Sequence, residues 1–493
     1  MPIKPIEPID SESPSAEWTP VRVATLAGGP VIGCALWLLF RPQTGTQSTF
    51  TEPGAIVLGL LAWMAIWWAT HAVELAVTGL LPLIVLPLTG AVAPDKVLSP
   101  YANDIIFLFG GGSILGLAIE RHGLGERLMQ AVLSTFGRSP GRVVAAFLLV
   151  TATMSAWVSN TATTLMMLPI AMACLALYSR GVDRAGPHGK SLANFEKAVL
   201  LAVGYGATIG GAITILGSPP NPVAAEWIRA NGGDMSFLRW VSFGLPAAAL
   251  MMIAAQIIFR KMLPVHGLPM PEAARHGSSP VALTRAGWVT IAVFVGAVAL
   301  WIGAPFLKSA IPTVILRDGM VAIAAAFVLL VFPAARGRPE PIVPWSLTSR
   351  MPWGVLILVG GGLSLAEAMQ STGVSQAIAG TMSGLGAMPA VVIVLAIATL
   401  LVFASELASN VALTATAVPI VGAMAPGLGI PADKLVIASA LGASFAFMLP
   451  VGTPPNAIIY ATGKVSVRDM IRVGFVLNLA AIVVITLVCS ILL

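Results

Sequence analysis

Residues 155–170 read SAWVSNTATTLMMLPI, and residues 405–420 read SELASNVALTATAVPI. The two stretches match at an offset of 250 residues, and each holds a Ser-Asn pair inside an apolar run. Two more motif pairs follow in the same order, FLFGGGSILGLAIERHGL with LILVGGGLSLAEAMQSTGV and GSPPN (217–221) with GTPPN (452–456). Three matched pairs in one order indicate that the chain is built from two related halves.

The composition is that of a membrane protein. Of the 493 residues, 57% are hydrophobic and only 10% are charged, whereas a soluble domain carries about 25% charged residues. So little charge excludes a soluble enzyme, a nucleic-acid binder and a disordered scaffold. The net charge of +6 is therefore interpreted as a consequence of membrane topology.

Apolar segments long enough to span a bilayer predict an all-α polytopic fold with eleven transmembrane helices. Two further apolar stretches, 142–178 and 387–424, carry a polar cluster at mid-length and are interpreted as re-entrant hairpins. Two of the spans, 194–230 and 432–463, are interrupted by a Pro-Pro pair. The predicted spans are 21–40, 54–70, 72–92, 103–120, 194–230, 241–260, 286–306, 314–334, 352–371, 432–463 and 472–493.

The basic residues favour a cytoplasmic N-terminus and an outside C-terminus in the cell membrane. Of the 27 Lys and Arg residues, this layout leaves 20 on the cytoplasmic side and places seven outside: Arg41, Lys96, Arg229, Arg239, Lys308, Arg317 and Lys434. The segments are then a cytoplasmic tail (1–20), a first helix with an outer loop (21–53), a first repeat (54–262), a cytoplasmic linker (263–285) and a second repeat (286–493). Five spans and one hairpin per repeat give the repeats opposite orientations, which is typical of secondary transporters.

The Ser-Asn clusters are the first candidate site. Ser159, Asn160 and Thr161 have Ser409, Asn410 and Val411 as counterparts. Hydroxyl and amide groups satisfy the backbone of a turn at membrane depth and can also bind a ligand. Helix capping is the structural alternative. The repetition of the cluster favours a ligand site shared by the two halves.

The two Pro-Pro motifs each predict a broken helix. Pro removes a backbone donor and frees a carbonyl, freed carbonyls can coordinate Na⁺, and half-helix N-termini attract an anion. A simple proline kink is the alternative. The glycine runs 110–112 and 360–362 are interpreted mainly as close helix packing.

The sequence gives little support for enzymatic or ATP-driven chemistry. The three cysteines share no spacing, HExxH, GxSxG and Walker motifs are absent, and the chain is not expected to be an enzyme or an ATP-driven pump. Glu406 adjoins the second Ser-Asn cluster and is interpreted as a structural acid satisfied by the hairpin backbone, with a cation site as the alternative. The paired motifs contain no Lys or Arg, and two facing donor clusters suit a molecule with an anionic group at each end.

In these motifs the chain resembles the divalent anion/sodium symporter family, the transporters of dicarboxylates, citrate and sulfate. The resemblance rests on SNTATT (159–164), SNVALT (409–414) and the two [ST]PPN elements, with THAVELAVTGLLPL (70–83) in support, and covers about residues 54–493. It implies a homodimer with a scaffold domain and a transport domain that moves as an elevator.

The resemblance also implies the ligands. One Na⁺ site would take Ser155, Ser159, Asn160 and the backbone at Gly217, and its counterpart would take Ser405, Ser409, Asn410 and the backbone at Gly452. The substrate carboxylates would meet Ser159, Asn160, Thr161, Ser218, Ser409, Asn410 and Thr453, with Val411 and Pro454 shaping the pocket.

The sequence departs from this symmetry at Val411, which lacks the hydroxyl of Thr161. The expected function is Na⁺-coupled symport of a C4-dicarboxylate such as succinate, malate or fumarate. A Na⁺-independent dicarboxylate exchanger, a sulfate or citrate carrier, and a Na⁺/H⁺ antiporter that uses Glu406 are the alternatives.

Overall fold

The computed structural model describes residues 20–42, 50–136, 139–180, 182–265, 267–269, 271, 282–311, 313, 315–335, 339–382 and 388–492. Within these ranges the chain forms helices and connecting loops, with one isolated bridge between Pro333 and Pro341. The predicted tail, apart from Pro20, and residues 272–281 of the predicted linker lie outside the described residues.

The described residues up to 265 form twelve helices and one 3₁₀ turn, Ser99–Ala102. The helices are α1 (Pro20–Phe40), α2 (Glu52–Thr70), α3 (Leu75–Thr78), α4 (Leu81–Leu88), α5 (Pro94–Leu98), α6 (Asp104–Arg121), α7 (Leu124–Phe136), α8 (Pro140–Ser155), α9 (Asn160–Ser179), α10 (Gly189–Gly210), α11 (Pro220–Ala230) and α12 (Phe237–Met262).

The described residues from 282 onward form nine helices and a 3₁₀ segment, Trp345–Arg350. The helices are α13 (Arg285–Ala310), α14 (Asp318–Val331), α15 (Trp353–Ser371), α16 (Val374–Met382), α17 (Ala390–Ala404), α18 (Asn410–Leu428), α19 (Ala432–Ser444), α20 (Pro454–Tyr460) and α21 (Val467–Ile491).

The helix boundaries repeat with the sequence motifs. The α8–α9 and α17–α18 pairs each break at a Ser-Asn cluster, and α11 and α20 each begin in a Pro-Pro motif. The turns Gly123 and Gly373, 250 residues apart, have positive φ angles of 64° and 84°. Glycine adopts this conformation without the steric cost of a Cβ, so the sharp turns after α6 and α15 are built in the same way.

Nine helices of the described residues are long and apolar enough to cross a bilayer, so the protein is a polytopic membrane protein. Two of them, Asn160–Ser179 and Asn410–Leu428, are the second arms of the predicted hairpins, while α14 is shorter. Helix length alone therefore does not count the crossings. The nine are Val23–Phe40, Glu52–Thr70, Pro94–Arg121, Asn160–Ser179, Phe237–Met262, Arg285–Ala304, Trp353–Ser371, Asn410–Leu428 and Val467–Ile491.

The glycine runs bring backbones into contact. A Cβ on Gly111 would lie 2.6 Å from the carbonyl carbon of Ala322 on α14, and a Cβ on Gly361 would overlap the backbone of Gly79 between α3 and α4. Small residues permit such an approach. The packing interpretation of the runs is confirmed at these two positions.

The two halves are interlocked rather than side by side. Helix α9 packs against α20, α11 packs against α18 and α19, and α12 packs against α21. Ion pairs join the same halves at one end, Lys464 to Glu196 and Lys197 to Asp469, each at 2.8 Å. The four helices that begin in the motifs, α9, α11, α18 and α20, therefore each have a neighbour from the other half.

Candidate functional site

The turn between α8 and α9, which we call tip 1 (Ala156–Ser159), packs against its own broken helix. The Asn160 side chain hydrogen-bonds Ser155 Oγ at 2.7 Å. With the amide nitrogen facing this side, Asn160 Nδ2 also donates to the carbonyl oxygens of Gly217 and Ala207, both at 3.1 Å. Three residues predicted to surround one Na⁺, Ser155, Asn160 and Gly217, are therefore brought together.

Gly217 is glycine because the backbones approach closely. A Cβ at this position would lie 2.6 Å from the carbonyl oxygen of Gly211 and 2.8 Å from that of Ser155. Side-chain carbon atoms do not tolerate such distances, so any other residue would separate tip 1 from the unwound chain between α10 and α11.

The side chain of Asn221 stabilises this unwound segment, residues 211–219. Its Nδ2 donates to the carbonyl oxygens of Gly211 and Thr214, each at 2.7 Å. Thr214 Oγ1 in turn donates to the carbonyl oxygen of Ala156 in tip 1 and accepts from the Leu216 amide at 3.1 Å. The side chains therefore fix carbonyl groups that a continuous helix would have used internally.

The second half repeats this arrangement between α19 and α20. Asn456 Nδ2 donates to the carbonyl oxygens of Ala446 at 3.2 Å and Leu449 at 3.0 Å. These acceptors precede Asn456 by ten and seven residues, the same spacings as in the first half. Asn221 and Asn456 thus bridge carbonyl groups at equivalent positions in the two broken helices.

The turn between α17 and α18, tip 2 (Ser405–Ser409), is joined to its unwound segment through an acid. The buried Glu406 carboxylate accepts from the backbone amides of Phe447, Met448 and Leu449 at 2.7, 2.8 and 2.9 Å. Asn478 Nδ2 on α21 adds a fourth donor at 2.8 Å. Glu406 is thus a structural acid as expected, but the prediction that the hairpin backbone satisfies it is wrong.

Several buried oxygen atoms near the motifs have no hydrogen-bond partner within the described chain. In the first half this holds for Asn221 Oδ1, and in the second half for Asn410 Oδ1, Thr453 Oγ1 and Asn456 Oδ1. A buried polar atom without a partner is costly, so such atoms indicate a place for a ligand or water. Oxygen atoms are the groups that bind hard cations.

The other predicted site residues line the same turns. Ser159 is exposed and caps α9 by accepting from the Ala162 amide at 3.3 Å. Ser218 is buried beside Gly217, and Thr161, Ser409 and Val411 are partly exposed. Ser405 Oγ donates to the Val402 carbonyl at 2.8 Å, Gly452 is buried, and Pro454 is exposed. The structure therefore places every predicted site residue at a hairpin turn or beside an unwound segment, in one half or the other.

The tips differ in their covering. Trp157 of tip 1 packs against the rings of Phe294 and Trp301 on α13, at centroid distances of 4.7 and 6.4 Å. Its counterpart Leu407 is 81% exposed, and Val451 of the second unwound segment is 80% exposed. Tip 1 is therefore partly enclosed by aromatic rings, while tip 2 presents bare apolar side chains.

Sequence reasoning missed three of these residues. Asn221 and Asn456 were visible, since both end a matched GxPPN motif, but their role in bridging the unwound segment depends on a fold-back that spacing does not reveal. Asn478 is a polar residue inside the apolar α21, which is a recognisable signal. Its partner Glu406 lies 72 positions away.

The chain is similar to known proteins over most of its length. A family model described as the sodium:sulfate symporter transmembrane region matches residues 29–492. A protein of Staphylococcus saprophyticus named sodium-dependent dicarboxylate transporter SdcS is 35% identical over 468 residues, which cover 93% of this chain and 89% of the relative. A Staphylococcus aureus protein of the same name is 34% identical over 487 residues, covering 97% and 92%.

The fold is also similar to that of solved structures, among them that of a transporter. The crystal structure of the Alcanivorax borkumensis YdaH transporter aligns with a TM-score of 0.54 over 96% of this chain and 97% of that chain, at 13% sequence identity. At this identity the match supports the fold class alone.

Proposed function

The chain belongs to the sodium:sulfate symporter family, and from that premise we propose that it is a secondary active transporter in which Na⁺ drives the symport of a C4-dicarboxylate. Relatives named as sodium-dependent dicarboxylate transporters match over most of both chains, which supports both the ion and the substrate class. Succinate, malate and fumarate are the substrates we propose.

The observation that carries this proposal is the pair of breaks built alike in the two halves. Four helices, α9, α11, α18 and α20, begin in the motifs, and their N-termini carry partial positive charge that favours an anion. Freed carbonyls and partnerless side-chain oxygens lie beside them. Neutral donors, helix ends and a bound cation are the means by which such a site can hold a dianion.

The Na⁺ ions are transported with the substrate rather than retained as cofactors. We propose Ser155, Ser159, Asn160 and the Gly217 backbone for one ion, and Ser405, Ser409, Asn410 and the Gly452 backbone for the other. For the substrate we propose Ser159, Asn160, Thr161, Ser218, Ser409, Asn410 and Thr453, with Val411 and Pro454 at the pocket wall. The contacts among Ser155, Asn160 and Gly217 support the first set.

The membrane layout that we propose has eleven spans, two re-entrant hairpins and two inverted repeats, with the N-terminus in the cytoplasm and the C-terminus outside. The repeated helix boundaries and the basic residues support it. We also propose a homodimer with scaffold and transport domains and an elevator movement, which rests on the family resemblance.

The test is succinate uptake into proteoliposomes that contain the purified full-length protein. We expect uptake only with an inward Na⁺ gradient, since bound Na⁺ offsets the charge of the substrate and the two bind cooperatively. Uptake unchanged when choline replaces Na⁺ but dependent on internal dicarboxylate would indicate an exchanger. Stronger competition by sulfate or citrate than by malate would indicate another anion.

The site is tested by Asn160→Ala and Asn410→Ala, one in each half. Each variant should abolish Na⁺-driven uptake while the protein still expresses and purifies as a stable species. Normal uptake by either variant would show that its cluster is structural. Thr399→Val, which removes a hydroxyl bonded to the Leu395 carbonyl within α17, is the control and should transport normally.

The Na⁺/H⁺ antiporter alternative would require Glu406 to exchange a proton. Four donors face its carboxylate, so we interpret Glu406 as a structural acceptor rather than as a proton carrier. Proton flux driven by a Na⁺ gradient in the absence of dicarboxylate would overturn this interpretation.

A further inference from the structure

A small cavity lies beside tip 1. It has a volume of about 90 Å³ and is lined by Ser159 and Ala162 of tip 1 and α9, by Glu120 at the end of α6, and by Arg350 and Met351 before α15. This volume is well above the space of about 10–15 Å³ that one water molecule needs. The cavity therefore joins a proposed substrate residue to a pair of charged residues.

Arg350 supplies the positive charge among the residues that line this cavity. Its Nη2 donates to Glu120 Oε1 at 2.6 Å, and the Arg350 side chain is 53% exposed. A guanidinium group carries five N–H donors in a plane, and it matches a carboxylate with two parallel hydrogen bonds. One bond to Glu120 therefore leaves donors free for a second carboxylate.

The pair itself is easily exchanged. The Arg350 side chain is 53% exposed and that of Glu120 is 24% exposed, and ion pairs that water reaches contribute little to stability, because water solvates both partners when they separate. An arriving carboxylate could thus replace Glu120 on Arg350 at little cost. Ser159 also lines this cavity, and its hydroxyl accepts from the Ala162 amide and retains its own proton for donation.

We propose that Arg350 is a substrate-binding residue, which holds one carboxylate of the dicarboxylate bound in this cavity beside tip 1. Glu120 holds the guanidinium in position when that carboxylate is absent. The inference rests on the proposed function and adds to it a cation that the paired motifs lack.

The chain offers a matched control next to this pair. Arg121 is the neighbour of Glu120 on α6, and it forms an ion pair with Glu340. Arg121 and Glu340 are not among the residues lining the cavity. Loss of Arg121 therefore removes one positive charge and one ion pair from the same end of α6 without altering the cavity wall.

The experiment measures the Kd of succinate for the purified full-length protein by calorimetry in saturating NaCl. Arg350→Gln should weaken succinate binding about tenfold, which is the loss of a charge-assisted hydrogen bond, and Arg350→Lys should weaken it less. Glu120→Gln should bind at least as tightly as the wild type, since the competing carboxylate is gone. Arg121→Gln should bind as the wild type does.

A second readout separates binding from folding. The rise in melting temperature caused by NaCl alone should be the same in Arg350→Gln as in the wild type, because the proposed cation ligands are untouched. Wild-type affinity in Arg350→Gln, or an equal loss in Arg121→Gln, would overturn this inference and leave the transport function standing. A wild-type protein that binds no succinate in NaCl would overturn both.

Discussion

The two hairpin tips occupy equivalent positions in the two halves, but different side chains bond each tip to its unwound segment. At tip 1, Thr214 Oγ1 donates to the Ala156 carbonyl. At tip 2 the position of Ala156 is taken by Glu406, and the position of Thr214 is taken by Leu449, whose amide donates to that carboxylate at 2.9 Å. Neutral hydrogen bonds from Thr214 and Asn160 thus join the first hairpin to its broken helix, whereas tip 2 is joined by four bonds to one carboxylate.

The difference extends to the surroundings. Trp157 of tip 1 packs in an aromatic cluster, and Leu216 is buried against Gly112. Their counterparts Leu407 and Val451 are exposed. Tip 1 is therefore packed against neighbouring helices in addition to its bond to the unwound segment, whereas the apolar side chains of tip 2 are exposed and its contacts are hydrogen bonds through Glu406.

The comparison shows that a repeated fold need not have repeated electrostatics. The two breaks present similar carbonyls, but only the second has a buried carboxylate among the contacts described here. A Cβ on Gly452 would lie 3.0 Å from Glu406 Oε2, so this charge adjoins the second proposed Na⁺ site. We expect that site to attract a cation more strongly than the first.

The largest effect is expected from Glu406→Gln. The substitution removes the charge and turns an N–H group toward a backbone donor, so at least one buried amide loses its acceptor. Breaking such a buried network costs about 3–5 kcal/mol. We expect a lower melting temperature of the purified protein and, in the fraction that folds, a higher Na⁺ concentration for half-maximal succinate uptake.

Glu367→Gln is the control for this variant. Glu367 is also a carboxylate in the second half, on α15, with no hydrogen bond to its carboxylate among the described contacts. It should leave both readouts unchanged. A Glu406→Gln protein with wild-type stability and Na⁺ dependence would show that the charge at tip 2 is irrelevant, and the contrast between the tips would be one of geometry only.

The next largest loss of stability is expected at a pair of positions where the two halves make the same hydrogen bonds. Asn221→Ala and Asn456→Ala each remove two hydrogen bonds to carbonyls at matching positions, and each leaves a small cavity. We expect about 2–4 kcal/mol of destabilisation for both, measured as equal shifts of the chemical denaturation midpoint. A much larger loss at one site would show that the two broken helices are not equivalent.

Asn221→Asp and Asn456→Asp refine this prediction. Aspartate retains an oxygen at the Oδ1 position but cannot donate to the carbonyls. If stability falls as in the alanine variants, the amide nitrogen is the important group. If stability is retained, the partnerless oxygen contributes more than the bridges do.

The membrane class and the positions of the breaks could be predicted from the sequence, because both follow from local composition. Apolar runs, Pro-Pro pairs and Ser-Asn clusters act within a few residues, and the helices end where these motifs predict. The family was equally accessible, since its motifs are short and contiguous. The predicted site residues accordingly lie at the two breaks.

The contacts that fasten the breaks could not be predicted, because they join distant positions. Glu406 meets Asn478 across 72 positions, and Arg350 meets Glu120 across 230. A single sequence reveals that such residues are polar within apolar surroundings, but not which partner satisfies them. The acid at tip 2 was assigned the wrong partner for this reason.

A smaller effect is expected from Thr214→Val at tip 1. Valine keeps the volume but removes one donor to the Ala156 carbonyl and one acceptor for the Leu216 amide. Because these bonds are neutral, we expect a loss of about 1–2 kcal/mol, well below that of Glu406→Gln in the same denaturation assay. Equal losses of stability from Thr214→Val and Glu406→Gln would show that the neutral and the charged hydrogen bonds stabilise the two tips to the same extent.

The smallest effect on stability is expected from Val411→Thr, and here the informative readout is specificity. Val411 is partly exposed at the start of α18, where its counterpart Thr161 has a hydroxyl group. Threonine nearly preserves the shape, so the melting temperature should hardly change, while a new donor beside the proposed pocket adds about 1 kcal/mol for substrates that reach it. That corresponds to about a fivefold change in relative kcat/KM among succinate, malate and sulfate.

Thr161→Val is the matched reverse substitution, and it should change the same ratios by removing a hydroxyl from the first half. If both variants leave the substrate ranking as it is, the hydroxyl asymmetry between the halves has no part in recognition, and the difference between the tips concerns cation binding alone.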